Sequence, residues 1–310
     1  MLARLRLGWR MQRWELAVLV GGTLVLAVGM SLVAWQLDLS RATLIACYEA
    51  EALSASCRAT IEWGNLLAGA IGLLGAAATV APFVVGIFLG APLVAREIEH
   101  RTAPIAWTLS LSRRRWLVGR SLPLLVLIGV VLLAVGQASE LLHSSIEEGE
   151  LGFRHYGMVG PLIAARGLAV FAIGVLVGLA LGRVLPALLV TMLATVALVG
   201  AMSVGRDLLM REESVWVPMG DQAEVVHMVY DQAFRTDSGE IITYEQAYEQ
   251  FPDMFNEFGE GAPPGTISVW RIVPPEAYGV YVAREIGVLA IVLVAVAAGS
   301  VGLVAVRRPE

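Results

Sequence analysis

Charged side chains cluster in one short segment that follows the second long apolar run of the chain. Arg96, Glu97, Glu99 and Arg101 lie within six residues, with the two carboxylates two positions apart. Ionised donors and acceptors form the stronger hydrogen bonds, so this segment is suited to a charged contact with a partner surface. The alternative is a solvated loop whose charges compensate one another.

The chain lacks the residue patterns that catalysis or nucleotide binding would need. All 22 basic residues are arginine, which excludes a Walker lysine, Schiff-base catalysis and pyridoxal attachment. No H-E-x-x-H pattern occurs, and the apolar runs hold no aspartate pair. His100, His143, His155 and His227 all lie outside those runs. We therefore expect neither an enzyme nor a metal site.

Long apolar runs dominate the chain, in which 57% of the residues are hydrophobic and the mean hydropathy is +0.71. These values exclude a soluble domain. A membrane helix needs about 20 apolar residues. Six runs meet this length, at 16–37, 63–95, 121–139, 159–182, 184–205 and 286–306. Arg166 is the single charge within them, and it either reaches the lipid headgroups or acts as a functional cation. We predict an all-α membrane protein with six transmembrane helices.

The arginines predict the orientation of these helices. With the N-terminus inside, the cytoplasmic segments carry 13 arginines and the short outer loops 38–62 and 140–158 carry only three. This distribution satisfies the positive-inside rule with both termini in the cytoplasm. We expect a multi-pass protein of the plasma (cytoplasmic) membrane.

The segment between the fifth and sixth spans is acidic. Residues 207–276 contain 14 acids and three arginines, so we predict a small extracytoplasmic domain at 206–280. Apolar residues recur at helical spacing over Asp221–Phe234 and Thr243–Phe258, which predicts two short helices. The domain is either a solvated cap or a site for a substrate or partner.

Small residues and cysteines each suggest a contact. Glycines four residues apart predict close helix packing, within the chain or against a second copy, at Gly86, Gly90, Gly174, Gly178 and Gly182. Cys47 and Cys57 both fall in the first predicted outer loop, where they are either a disulfide or two free thiols.

The segment 90–117 resembles the permeases of type-2 ATP-binding-cassette transporters. In that family the second span runs into an Arg-Glu-x-Glu-x-Gly-Thr segment, a short helix and a Ser-Arg-x-Arg-Trp entry into the third span. Arg101 stands where the family usually has glycine, and residues 182–191 resemble its tight turn between spans four and five. The other matching positions are Arg96, Glu97, Glu99, Thr102, Trp107, Ser112, Arg113, Arg115 and Trp116.

The resemblance implies a permease subunit that forms a translocation path with a second permease copy or homologue. It implies a separate ATPase subunit that binds ATP and magnesium, so no cofactor is expected in this chain. The ATPase-coupling contact would lie in segment 96–116, at Arg96, Glu97, Glu99, Arg101, Thr102, Trp107 and Arg113. Residues 1–14 would form an amphipathic interfacial helix on membrane lipid, or else only a basic flank that sets topology.

The predicted organisation is an interfacial helix at 1–14, five spans within 15–205, the outer domain at 206–280, and the sixth span with a short tail at 281–310. We interpret the chain as the permease of an exporter, with no nucleic acid among its partners. The alternative is a sensory or assembly protein whose outer domain binds a ligand or partner. Span walls of Leu, Val, Ala and Gly do not specify a substrate.

The topology predicts that residue 110 is shielded by the membrane from the outside. Ser110→Cys, in a chain whose two native cysteines are replaced, should resist an impermeant thiol reagent in intact cells and react once the cells are opened. Labelling of intact cells would reverse the orientation.

Overall fold

Six long helices dominate the structure. The computed structural model describes residues 2–48, 54–108, 112–145, 153–158, 160–219, 229–250 and 263–307. The long helices are α1 (Leu2–Tyr48), α2 (Ala55–Glu99), α4 (Arg113–Ser144), α5 (Pro161–Leu181), α6 (Val184–Glu213) and α8 (Tyr278–Val306), and the short ones are α3 (Ala103–Thr108) and α7 (Tyr244–Gln250). Each long helix contains a window long and apolar enough to cross a membrane, which confirms the prediction of six spans.

Local sequence signals set several helix ends. Ser54 and Ser112 are the N-caps of α2 and α4, and their hydroxyl oxygens accept backbone N–H bonds from Cys57 and Arg115, each at 3.2 Å. Gly182 ends α5 in the left-handed conformation (φ 64°), as glycine at a helix C-terminus commonly does. α6 then starts within two residues, so the predicted tight turn is present.

Helix α5 is the most enclosed of the spans. Two thirds (67%) of its apolar window is buried, against 17% for α6 and 17% for α8. The core around it is formed mainly by α1, α2, α4 and α5, with Val304 of α8, and includes Met30, Ile128, Leu132, Ile163, Phe171 and Leu179. α6 and α8 therefore turn most of their apolar surface away from this unit.

Glycines allow α2 and α5 to approach with their backbones in contact. A Cβ atom at Gly86 would lie 2.9 Å from the carbonyl oxygen of Gly167, and one at Gly174 would lie 2.7 Å from the backbone nitrogen of Ala91. Added Cβ atoms at Gly90 and Gly178 would likewise overlap backbone atoms of the facing helix. These four glycines therefore pack within one chain.

The two cysteines are joined in the structure. A disulfide links Cys47, near the end of α1, to Cys57, in the first turn of α2, with their Cα atoms 5.2 Å apart. That separation lies within the usual range for a disulfide. The bond holds the first two spans together at this end.

The N-terminal segment differs from the predicted separate helix at 1–14. α1 is helical without a break from Leu2 to Tyr48. No proline lies within residues 2–15, where the predicted helix would have ended, and their single glycine, Gly8, is a weak helix breaker.

The structure is mostly helical (82%), as predicted, but the all-α prediction is wrong for the segment between α6 and α8, which contains a β-sheet. Its strands are β1 (Val215–Pro218), β2 (Val229–Thr236), β3 (Ile241–Thr243) and β4 (Thr266–Ile272), all antiparallel in the order β1-β4-β2-β3. The predicted helix 221–234 ends in strand β2, whereas α7 lies within the predicted helix 243–258. Residues 220–228 and 251–262 lie outside the described ranges.

Turn chemistry and long-range pairing explain the sheet. Asp237, Ser238 and Gly239 form the hairpin between β2 and β3, with Gly239 at φ 88°. Ala233 and Phe234 are buried where β2 pairs with β4, more than thirty residues later in the chain.

Burial and the nearby carboxylate of Asp207 raise the pKa of Tyr230, also on β2.

Contacts around Arg271 and Tyr281 connect the sheet with the neighbouring helix ends. The Arg271 guanidinium donates to the Ser214 hydroxyl at 2.7 Å, and Tyr281 donates to the Glu213 carboxylate at 2.6 Å. α6 thus continues to Glu213, past its predicted end at 205, and α8 begins at Tyr278, before its predicted start at 286.

Two substitutions in the same helix test the glycine contact. Gly90→Ala should destabilise the purified protein by about 1 to 3 kcal/mol, because the new methyl group forces α2 from α5. Gly72→Ala should be neutral or slightly stabilising, since nothing lies within 4 Å of its added Cβ. Thermal unfolding in detergent measures both, and equal effects would contradict the contact.

Candidate functional site

The end of α2 forms a complete Schellman cap at the charged segment. The N–H of Arg101 donates to the Ile98 carbonyl at 3.0 Å, and the N–H of Thr102 donates to the Glu97 carbonyl at 2.9 Å. Arg101 has φ 57°, a left-handed conformation that glycine adopts most easily. The turn expected from the resemblance is therefore present even though arginine replaces glycine.

Glu97 lies inside the bundle and not in solution. It is 7% exposed, and its Oε1 forms an ion pair with the Arg120 guanidinium on α4. Its other oxygen, Oε2, is buried without a hydrogen-bond partner among the described residues. The pair joins the end of α2 to the second turn of α4, so Glu97 is not part of a solvated loop.

Trp107 joins α3 to Trp116 and Arg113 of α4. The rings of Trp107 and Trp116 pack edge to face at 6.0 Å. The guanidinium of Arg113 lies 4.8 Å from the Trp107 ring centre, and that of Arg120 lies 5.7 Å from the Trp116 ring centre. This arrangement is consistent with a firmly held α3.

The remaining predicted contact residues lie around the cap and α3. Arg96 is half-buried, and the Thr102 hydroxyl donates to the Glu97 carbonyl at 3.2 Å. Arg101 and Ile105 are exposed, Ile105 by 63%, while Ala103 is buried on the opposite side. The described segment therefore combines a fixed inner face with a mixed basic and apolar outer face.

Glu99 contacts another span of the same chain. Its Oε2 accepts a hydrogen bond from the backbone N–H of Val184 at 2.8 Å, in the first turn of α6. The guanidinium of Arg113 donates to the carbonyl oxygen of Arg307, just after α8. The Nη1 of Arg307 in turn lies 3.5 Å from the carbonyl oxygen of Ala180 in α5. We call this set of helix ends the arginine-rich end of the bundle.

Sequence reasoning missed Arg120, Arg307 and Val184 as members of this site. In the sequence the two arginines indicate only membrane topology, and a backbone N–H has no sequence signature. The turn at Gly182 gave the one usable signal, because it predicts a helix N-terminus that needs a cap.

Arg166, the charge within the fourth predicted span, forms a buried ion pair. Its Nε and Nη2 contact Oε1 of Glu285 at 2.8 and 2.6 Å, and its Nη1 donates to the Gly157 carbonyl at 3.2 Å. Glu285 is 6% exposed and lies one residue before the predicted sixth span. Its position outside the apolar run hides it from a search for charges within the spans.

Two other buried polar side chains meet near the end of α4. The rings of His143 and His155 lie 4.2 Å apart, and the Nδ1 of His143 contacts the Ser139 carbonyl at 2.7 Å. Among the residues that the structure describes, no group of three or more His, Cys, Asp or Glu could hold a metal ion.

Comparison with protein families identifies the membrane part of the chain. The family model described as ABC-2 membrane transporter related matches residues 16–206, which is more than half of the chain. The chain belongs to this family. The matched range includes the first five spans of this ABC-2-type permease subunit and the whole of segment 96–120. The sheet β1 to β4 lies after it.

The family assignment has two consequences. The protein is a multi-pass membrane protein, and members of the family are generally non-catalytic membrane subunits. No curated protein and no solved structure matched the chain.

The buried position of Glu97 predicts a large cost for removing it. Glu97→Ala should destabilise the permease by about 3 kcal/mol, because it leaves Arg120 partly buried without its carboxylate. Arg114→Ala, an exposed neighbour, should change stability by less than about 0.5 kcal/mol. Thermal unfolding in detergent compares them, and a Glu97→Ala loss of under about 1 kcal/mol would indicate a solvated pair.

The left-handed cap predicts that glycine is better than arginine at position 101. Arg101→Gly should stabilise the permease by about 1 kcal/mol, because it relieves the steric cost of a Cβ at positive φ. Arg101→Ala removes the same charge but keeps the Cβ, so it should give no such gain. An equal gain in both variants, measured by thermal unfolding, would assign the effect to the charge instead.

Proposed function

We propose that this chain is the membrane-spanning subunit of an ATP-binding-cassette exporter, and that its arginine-rich end docks on a separate ATPase subunit in the cytoplasm. The observation that carries the proposal is the construction of segment 96–120. A capped helix end, a buried ion pair and an aromatic cluster hold α3 while its outer face stays exposed. A lever between two subunits needs this combination of a fixed base and a free surface.

The outer face has the chemistry of a protein contact. Ile105 offers an exposed apolar side chain, and Arg101, four residues earlier in the chain, is an exposed cation. Interface centres commonly combine an apolar anchor with arginine. Glu97 and Glu99, which bond within the chain, would position this surface and not touch the ATPase themselves.

The arginine distribution supports the cytoplasmic location of this surface. An excess of arginine marks the inner ends of membrane spans, and the network at this end contains Arg113, Arg120 and Arg307. The acidic segment with the sheet would then lie outside, where it would contribute to an exit region. Two permease copies, or this chain with a homologue, would enclose the path, with ATP and magnesium bound by the partner ATPase.

One pair of substitutions tests the docking surface. Ile105→Glu should weaken association with the ATPase by about 30-fold or more, because it buries a carboxylate in the contact. Ile267→Glu introduces the same change at a partly exposed position of β4 and should leave association unchanged. Co-purification of the permease with an ATP-binding-cassette ATPase from native membranes, with vanadate-sensitive hydrolysis, measures both.

Two outcomes would contradict the proposal. Normal co-purification and hydrolysis with Ile105→Glu would remove the docking surface from α3. Absence of any ATPase from the intact permease, together with a ligand- or partner-binding activity that Ile267→Glu abolishes, would favour a sensory or assembly protein.

A further inference from the structure

The two least enclosed spans are tied to the bundle by polar contacts at one end. α6 and α8 each bury 17% of their apolar window, so apolar packing within this unit fixes them weakly. At the arginine-rich end, however, α6 is bonded to the end of α2 through Glu99, and the residue after α8 is bonded to the start of α4 through Arg113. These contacts connect the two spans to both sides of α3.

Glu99 supplies a cap that α6 lacks in its own sequence. The residue before α6 is Arg183, whose side chain carries donors only and cannot accept a bond from the free N–H groups of the first turn. The carboxylate of Glu99 accepts from Val184 N at 2.8 Å and also places a negative charge at the positive end of the helix dipole. A residue 85 positions earlier thus performs the role of the N-cap.

Arg113 makes the corresponding contact at the end of α8. Carbonyl groups at a helix C-terminus have no partner within the helix. The guanidinium of Arg113 donates to the carbonyl of Arg307 and at the same time lies against the Trp107 ring of α3. One side chain therefore contacts α3 and the end of α8.

We propose that Glu99 and Arg113 are two separate positioning residues, which pass a displacement of α3 to α6 and to α8 respectively. This inference rests on the proposed function, because the ATPase supplies the displacement. α1, α2, α4 and α5 share most of one apolar core, while α6 and α8 meet this bundle through fewer buried side chains, among them Ala187, Glu285 and Val304. At the arginine-rich end, Glu99 and Arg113 give each of these two spans its own polar connection to the segment around α3. Loss of one contact weakens the coupling of one span and leaves that of the other unchanged.

Two reporter positions separate the two contacts. Leu193 on α6 and Val294 on α8 are almost equally exposed, at 68% and 67%, and each is replaced in turn by cysteine and labelled with an environment-sensitive fluorophore. The native cysteines are joined to each other and do not react. The permease is purified with its ATPase, and the signal change on adding ATP and vanadate is recorded.

The expected results are reciprocal. In the parent chain both labels respond. Glu99→Ala should reduce the response at 193 by about fivefold or more and preserve the response at 294, while Arg113→Ala should do the opposite. Glu99→Gln keeps a carbonyl oxygen that can accept from Val184 and should preserve both responses. Glu62→Ala and Arg114→Ala, exposed residues of α2 and α4, serve as matched controls and should change neither.

Hydrogen exchange in the permease alone gives a second readout. Amides of the first turn of α6 should exchange about fivefold faster in Glu99→Ala, because the cap is lost, and at the parent rate in Arg113→Ala. Parent rates in both variants would overturn the capping role of Glu99.

The remaining outcomes distinguish this inference from the proposed function. Full responses in both variants, or equal loss at both labels in each variant, would overturn the two separate contacts. A hydrolysing complex whose parent labels do not respond would overturn them while leaving the proposed function intact. A permease that binds no ATPase would overturn the proposed function and this inference with it.

Discussion

The structure depends first on the backbone contact between α2 and α5. In lipid, apolar side chains gain little by leaving one apolar surface for another, so helices associate through close van der Waals contact. Gly86 and Gly90 on α2 and Gly174 and Gly178 on α5 permit that contact, since any side chain there would separate the helices. The same contact fixes where both helices leave the bundle. It brings Glu99, at the end of α2, within bonding distance of Val184, just past the end of α5.

Buried charges then select which helices meet. Glu97 with Arg120 joins α2 to α4, and Arg166 with Glu285 joins α5 to α8. Burying either charge alone would cost far more than the pair, so each residue restricts where its partner can lie. Apolar packing between Leu and Val side chains tolerates many arrangements. The ion pairs are directional, and they reduce that choice to specific helix neighbours.

The sequence predicted the spans well because a membrane helix depends on local composition. Six apolar runs became six long helices, and the Gly182 turn formed as the pattern indicated. Partners separated along the chain were not predictable in the same way. Glu285 lies just outside an apolar run, so a search within the runs omitted the partner of Arg166. The sheet was missed because β2 is stabilised by pairing with β4, while its own apolar spacing also fits a helix. The site residues were located by resemblance, but only the structure gives Glu97 and Glu99 partners within the chain.

Segment 96–120 lies where helices that share an apolar core contact α6 and α8, two helices that bury little of their apolar surface. A cap such as that of Glu99 on α6 is worth about 1 kcal/mol, far less than an apolar helix interface. Such a contact is too weak to hold a span by itself, yet it is directional and lies at the helix end where the proposed ATPase contact would apply a displacement. Arg101, in contrast, lowers local stability at its position. A glycine there would relax the backbone, whereas arginine adopts a left-handed conformation and exposes a cation at the turn before α3. At this end of the bundle, Arg101 costs local backbone stability, and the buried ion pair of Glu97 with Arg120 stabilises the helix end just before it.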